Sequence, residues 1–139
     1  MKENKHTMEQ TKSENDVQVL RLLSNQMANA VERVSSALVL VNGRQRQPAS
    51  GVVYATDLVI TADHVLEREE DLTIQSHDGR TLPVQFVGRD PSTDLAVLRA
   101  TELGIEPATS AKNAARVGQL VMAVGRNVFT ASSRLSTGA

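Results

Sequence analysis

The 139-residue sequence contains no cysteine and no tryptophan, and it has only one tyrosine and two phenylalanines. Without cysteine the chain can form no disulfide, no thiolate nucleophile and no cysteine-based zinc site. The scarcity of aromatic rings leaves no stacking platform for single-stranded nucleic acid. Fifteen basic and sixteen acidic residues give a formal net charge of −1, so no basic field attracts polyanions. We therefore expect no nucleic-acid partner.

Long apolar segments are also missing. No run approaches the roughly 20 apolar residues that a membrane-spanning helix needs. The first ten residues, MKENKHTMEQ, lack the apolar centre of a secretory signal. Hydrophobic residues make up 40% of the chain and charged residues 22%, which is typical of a globular protein. These observations predict a cytoplasmic protein that associates with no membrane.

The amino-terminal third divides into two predicted parts. Residues 1–14 are polar and without apolar periodicity, and we predict a disordered tail there. Apolar side chains then recur at intervals of three and four, which predicts an amphipathic helix over residues 15–36. This stripe consists of Val17, Leu20, Leu23, Met27, Val31 and Val34. Such a helix packs on its own domain or on a neighbouring subunit.

From residue 37 the pattern changes to short β-branched runs separated by turn signals. Six of these runs lie within residues 37–100, at 37–41, 51–55, 58–61, 72–75, 82–87 and 95–99. The Asp78-Gly79 pair between the fourth and fifth runs predicts a tight hairpin. Six short strands of this kind predict an all-β fold, a small closed antiparallel barrel.

The remainder of the chain is less regular. Residues 101–116 lose the alternation and are predicted to form a linker. Residues 117–125, VGQLVMAVG, are apolar again and predict one further strand. A single strand without partners would leave its backbone groups unpaired. We therefore interpret residues 117–139 as the start of a truncated second barrel.

Two polar side chains stand at the ends of predicted strands, thirty positions apart. His64 closes the segment Thr61-Ala62-Asp63-His64, and Asp94 opens the run Asp94-Leu-Ala-Val-Leu-Arg99. An imidazole can take the proton from a serine hydroxyl, while a carboxylate on its far side fixes the tautomer. Neither residue alone would indicate a catalytic site; the signal is that both occur, in this order and at this separation.

These two segments resemble the trypsin-like serine proteases, most closely the bacterial HtrA/Deg group, and the resemblance covers about residues 20–125. It implies a chymotrypsin-like first barrel, with His64 as general base and acid and Asp94 as its orienting partner. It also implies a serine endopeptidase that hydrolyses unfolded or damaged polypeptides without a cofactor or metal. Relatives form trimers, which raises a homo-oligomer here, although this chain lacks the amino-terminal aromatic residues that build their contact.

The nucleophile of that family lies in a Gly-x-Ser-Gly-Gly loop, and the sequence contains no such segment. Ser132, Ser133 and Ser136 follow Asp94 in the right order but lack the flanking glycines. We predict that none of them is the nucleophile, and that these 139 residues alone are inactive. The alternative is a non-catalytic barrel of protease ancestry that binds peptides or proteins.

Asp63 departs from the family pattern, which usually has a small or amide residue before the histidine. A second carboxylate there either favours the charged imidazolium or points into solvent, and we expect the latter. His6 and His77 are expected at the surface. A metal site built from His64, His77 and Asp94 lacks close ligand spacing, so no metal is expected.

Overall fold

A computed structural model describes residues 2–126 of the chain. The chain divides into two compact units, with the boundary between Arg33 and Val34. The first unit is helical, and the second is a β-barrel that carries the candidate site. No helix within the described residues is long and apolar enough to cross a lipid bilayer.

The helix, α1, runs over Lys2–Ser35. It therefore begins well before residue 15, and the residues predicted as a disordered tail form its first turns. The physical reason is that residues 1–35 contain neither glycine nor proline and are rich in lysine, glutamate and glutamine, which favour helices. The side chains of His6 and Gln10 approach to 3.4 Å across one turn. The absence of an apolar stripe here did not prevent helix formation.

The six strands close into one antiparallel barrel in the order β1-β2-β3-β6-β5-β4, with β4 pairing back onto β1. The strands are β1 Leu38–Asn42, β2 Ala49–Ala55, β3 Leu58–Ala62, β4 Leu72–Gln75, β5 Thr81–Asp90 and β6 Leu95–Arg99. This confirms the predicted fold class, an all-β barrel preceded by an amino-terminal helix. Register shifts in the pairings β2–β3 and β5–β6 bend the sheet as closure requires.

The hairpin between β4 and β5 forms where Asp78-Gly79 predicted it. Gly79 has φ +86°, a left-handed conformation that glycine adopts without steric cost. The buried Ser76 hydroxyl donates to the Asp78 carboxylate and accepts from the Arg80 N–H at 3.1 Å. These contacts fix the tight turn predicted from the sequence.

The core of the barrel is made of inward-facing aliphatic side chains. Its fully buried members include Val39, Val53, Val59, Ile74 and Leu98. Two more buried side chains, Leu103 and Ile105, belong to the segment predicted as a linker.

Hydrogen bonds to its backbone hold the segment that contains these two residues. Ala108 N–H donates to the Val53 carbonyl at 2.9 Å, and Arg80 Nη2 donates to the Leu103 carbonyl at 3.0 Å. The segment after β6 has no regular secondary structure, as expected of a linker. These hydrogen bonds nevertheless hold it against the barrel core.

The predicted strand over residues 117–125 does not form. Within the described part of the chain, only an isolated bridge at residue 124 is present in this segment, and Val117, Leu120 and Val121 are exposed. A strand forms only where a neighbouring strand supplies a continuous series of hydrogen bonds, and within residues 2–126 the pairing of this segment is limited to that single bridge. Residues 127–139, the rest of the predicted second barrel, lie outside the described residues.

Candidate active site

His64 lies in a single 3₁₀ turn, Asp63–Val65, that directly follows β3. The buried Thr61 hydroxyl donates to the Ser50 carbonyl on β2 at 2.9 Å, which fixes the end of β3. Val65, immediately after the histidine, is buried in the core. The turn is thus anchored on both sides of His64, while the imidazole itself is 69% exposed.

Asp94 ends the turn that connects β5 to β6. Its backbone is left-handed, with φ 56°, a conformation that aspartate tolerates better than most residues with a Cβ. The Asp90 carboxylate accepts from the Ser92 N–H at 3.0 Å and from the Thr93 hydroxyl at 3.0 Å. The Ser92 hydroxyl also donates to this carboxylate, and it contributes most to lowering the pKa of Asp90, followed by the Thr93 hydroxyl. The turn is therefore ordered by its own side chains.

The ladder between β3 and β6 brings His64 and Asp94 together. Ala62 pairs with Leu95 in the antiparallel register, and the next bond runs from Asp63 N–H to the Asp94 carbonyl at 3.0 Å. One residue further, the Asp94 carboxylate replaces a backbone acceptor, because its Oδ1 accepts the His64 N–H at 2.9 Å. Its Oδ2 lies 2.6 Å from His64 Nδ1. Both carboxylate oxygens therefore bind the histidine.

These contacts determine which ring nitrogen carries the proton. The pKa of Asp94 is lowered, first by the backbone N–H of His64 and then by its ring. An ionised carboxylate can only accept hydrogen bonds, so Nδ1 of His64 must be the donor. In the neutral ring Nε2 then carries the lone pair, and no group among residues 2–126 hydrogen-bonds to it. The arrangement can accept a proton at Nε2 from a group outside the barrel.

The remaining candidates lie elsewhere. His6 and His77 are exposed, and His77 stands in the β4–β5 hairpin. Among the residues that the structure describes, no group of three histidine or acidic side chains could hold a metal ion. Ser132, Ser133 and Ser136 lie outside the described residues.

Asp63 does not point into solvent, so that expectation is wrong. Its side chain is only 14% exposed, and its Oδ1 lies 3.2 Å from Nε of Arg89 on β5. Arg89 Nη2 lies 3.3 Å from Glu69 Oε1. Sequence reasoning missed Arg89, although an aspartate in a position usually occupied by a small or amide residue was a signal that a cation should lie nearby.

Comparison with known proteins bears on this site. The family model described as the trypsin-like peptidase domain matches residues 49–139. The serine endoprotease DegS of Haemophilus influenzae is 30% identical over 125 residues, which cover 86% of this chain and 36% of that protein. The serine protease PepD of Mycobacterium tuberculosis is 34% identical over 95 residues, covering 60% of this chain and 20% of that protein.

The barrel also has counterparts among solved structures. The crystal structure of the serine endoprotease from Yersinia pestis superimposes with a TM-score of 0.58 and 33% sequence identity. The match covers 68% of this chain and 37% of that one. The chain thus spans little more than a third, or less, of the length of these relatives.

Proposed function

Because the chain belongs to the trypsin-like peptidase family, we propose that His64 and Asp94 are the general base and the orienting carboxylate of an HtrA/Deg-like serine endopeptidase. One observation carries the proposal: His64 Nδ1 lies 2.6 Å from Asp94 Oδ2 while the ring stays exposed. This geometry leaves Nε2 as the proton acceptor.

The proposed chemistry follows from that geometry. Nε2 of His64 takes the proton of a serine hydroxyl as the serine oxygen attacks the scissile carbonyl, and later returns it to the leaving amine. Asp94 holds the Nδ1–H tautomer and stabilises the imidazolium that forms between the two steps. The left-handed backbone at Asp94 supports this role, because in this conformation both oxygens of the Asp94 carboxylate contact His64.

The nucleophile and the oxyanion hole are proposed to come from sequence outside these 139 residues, since no Gly-x-Ser-Gly-Gly segment is present. The substrates proposed for the whole protein are unfolded or damaged polypeptides, as the HtrA/Deg resemblance implies. We expect the 139-residue chain alone to hydrolyse no peptide bond. DegP-like relatives from Brucella are named periplasmic, so the cytoplasmic location predicted from the sequence stays a prediction.

The experiment is Asp94→Asn in the full-length gene product, assayed with an unfolded protein substrate. Asparagine accepts the left-handed backbone and can still bind the His64 N–H. Its amide presents a donor to Nδ1, which forces the proton onto Nε2. We expect kcat to fall by roughly 10⁴-fold with the fold intact.

The matched control is Asp57→Asn, the same substitution in the turn between β2 and β3. Asp57 Oδ2 lies 3.2 Å from Arg99 Nε in an exposed ion pair, so its loss should leave turnover within about two-fold. Activity of Asp94→Asn close to that of Asp57→Asn would remove Asp94 from the mechanism.

A second measurement separates an enzyme from a binding barrel. An active-site phosphonate should label one serine of the full-length product, and His64→Ala should abolish the labelling. A folded full-length product that binds peptides but shows neither labelling nor hydrolysis would favour the non-catalytic alternative.

A further inference from the structure

The turn that carries His64 also carries a second carboxylate, Asp63. Consecutive residues of a 3₁₀ turn are about 120° apart around its axis, so the two side chains face different neighbours. His64 faces Asp94, at the start of β6, and is 69% exposed. Asp63 faces β5 and is 14% exposed. The turn therefore brings a second carboxylate to the site, while only the carboxylate of Asp94 contacts the imidazole.

A nearly buried carboxylate needs a compensating partner, because desolvation disfavours its charge. Asp63 Oδ1 is buried and makes no hydrogen bond within the described residues. The cation beside it is Arg89, whose Nε lies 3.2 Å away, within ion-pair distance. The compensation for Asp63 is therefore the charge of Arg89 rather than a directional hydrogen bond.

Arg89 is itself held by its surroundings. Its guanidinium lies 5.2 Å above the centre of the Phe86 ring, and its Nη2 lies 3.3 Å from Glu69 Oε1. Its backbone pairs with Ala96, two residues beyond Asp94. The arginine is thus fixed from β5, from β6 and from the loop that follows the His64 turn.

We propose that Arg89 is a positioning residue for His64: it holds and neutralises Asp63, so that Asp94 is the single carboxylate acting on the ring. The proposal rests on the proposed role of His64 as a base. Two unpaired carboxylates beside one imidazole would both favour the imidazolium, which cannot accept a proton at neutral pH. Among the described residues, the charged groups that ion pairs link to this turn are Asp94 on the β6 side, Arg89 on β5 and, through Arg89, Glu69 in the loop.

The test is a pH titration of the His64 ring signals by NMR in the 139-residue chain. In Arg89→Gln the Asp63 charge loses its partner, and the His64 signals should titrate at higher pH than in the wild type. The expected displacement is on the order of half a pH unit, the effect of losing one neighbouring positive charge beside an exposed ring. In the double variant Asp63→Asn/Arg89→Gln the displacement should disappear.

A matched control is Glu69→Gln, which removes the other carboxylate on Arg89 and should leave the His64 titration where it is. The proposal would be overturned if the His64 signals of folded Arg89→Gln titrated at the same pH as those of the wild type. A displacement that persists in the double variant would also overturn it. Should Arg89→Gln fail to fold, Asp63→Asn is compared with the double variant. A difference between their His64 titrations larger than about half a pH unit, the effect of the Arg89 charge itself, overturns the proposal.

This titration uses no catalytic activity, so it separates the two proposals. If the phosphonate labelled no serine, the proposed function would fail, but the titration result would still stand. In an active full-length product, Arg89→Gln should move the acid limb of kcat/KM to higher pH and leave KM unchanged. A purely structural role for Arg89 would lower the thermal stability without moving that limb.

Discussion

Gly51 on β2 has side chains of both neighbouring strands packed against the position of its missing Cβ, so replacing it with alanine tests how tightly the barrel is packed. A Cβ at this position would lie 2.8 Å from Val41 Cγ2 and 2.9 Å from Val59 Cγ1. It would also lie 3.2 Å from the Ile60 carbonyl oxygen. Val41 and Val59 are 1% and 0% exposed, so neither can move without displacing other core side chains.

Two opposing effects set the magnitude. Replacing glycine with alanine in a strand ordinarily stabilises a protein by roughly 0.5–1 kcal/mol, because the unfolded chain loses freedom. Forcing an extra methyl group into a packed core costs roughly 1–3 kcal/mol. Two contacts shorter than 3.0 Å against buried side chains make the second effect larger. We expect Gly51→Ala to lower the free energy of unfolding by about 1–2 kcal/mol.

The assay is urea unfolding followed by circular dichroism, with thermal melting in parallel. A loss of 1 kcal/mol should lower Tm by roughly 4–8 °C in a domain of this size. The matched control is Gly88→Ala in β5, where a Cβ meets nothing within 4 Å. This control should be as stable as the wild type or up to about 1 kcal/mol more stable, because it restricts the unfolded chain without a clash. Equal stability of the two variants would refute the packing argument.

Two further predictions concern the barrel. Leu103→Ala should lower the free energy of unfolding, measured in urea, by roughly 2–5 kcal/mol, because Leu103 is 1% exposed. The control Leu120→Ala should change it by less than about 0.5 kcal/mol, because Leu120 is 81% exposed. The pKa of Asp78 is lowered to about 2, first by the Ser76 hydroxyl and also by Arg80. Asp78 therefore stabilises the fold above about pH 4, and that contribution is lost as the pH falls towards 2. Asp78→Asn should flatten this part of the stability curve in acid titrations followed by circular dichroism, and an unchanged slope would contradict the assignment.

Most of the barrel could be predicted because its local signals agree with its final contacts. The starts of the six strands differ from the predicted starts by two residues or fewer. Asp78-Gly79 specified its hairpin because glycine relieves the left-handed φ that the turn needs. β5 was predicted too short, at 82–87 instead of Thr81–Asp90, because a register shift between Phe86 and Gly88 interrupts the alternation.

Other features depend on contacts that no local pattern records. Leu103 and Ile105 lie in a segment without periodicity, and only their packing into the barrel core explains their burial. Residues 117–125 have the composition of a strand, but strand formation requires a partner strand, and within residues 2–126 this segment forms only an isolated bridge at residue 124. The same reasoning applies to His64 and Asp94: the resemblance suggested the pair, but only the β3–β6 register explains their contact.

Arg89 shows most clearly why part of the site escaped prediction. In the β5–β6 pairing, Phe86 lies opposite Leu98, and the register shift then places Arg89 opposite Ala96. Without the extra residue of the bulge, Arg89 would lie opposite Leu95 instead. Directly opposite residues share a face of the sheet, and Leu95 is exposed while Ala96 is fully buried. One inserted residue therefore turns Arg89 from the outer face towards the half-buried Asp63. Whether Asp63 has a partner thus depends on that bulge rather than on either residue's place in the sequence.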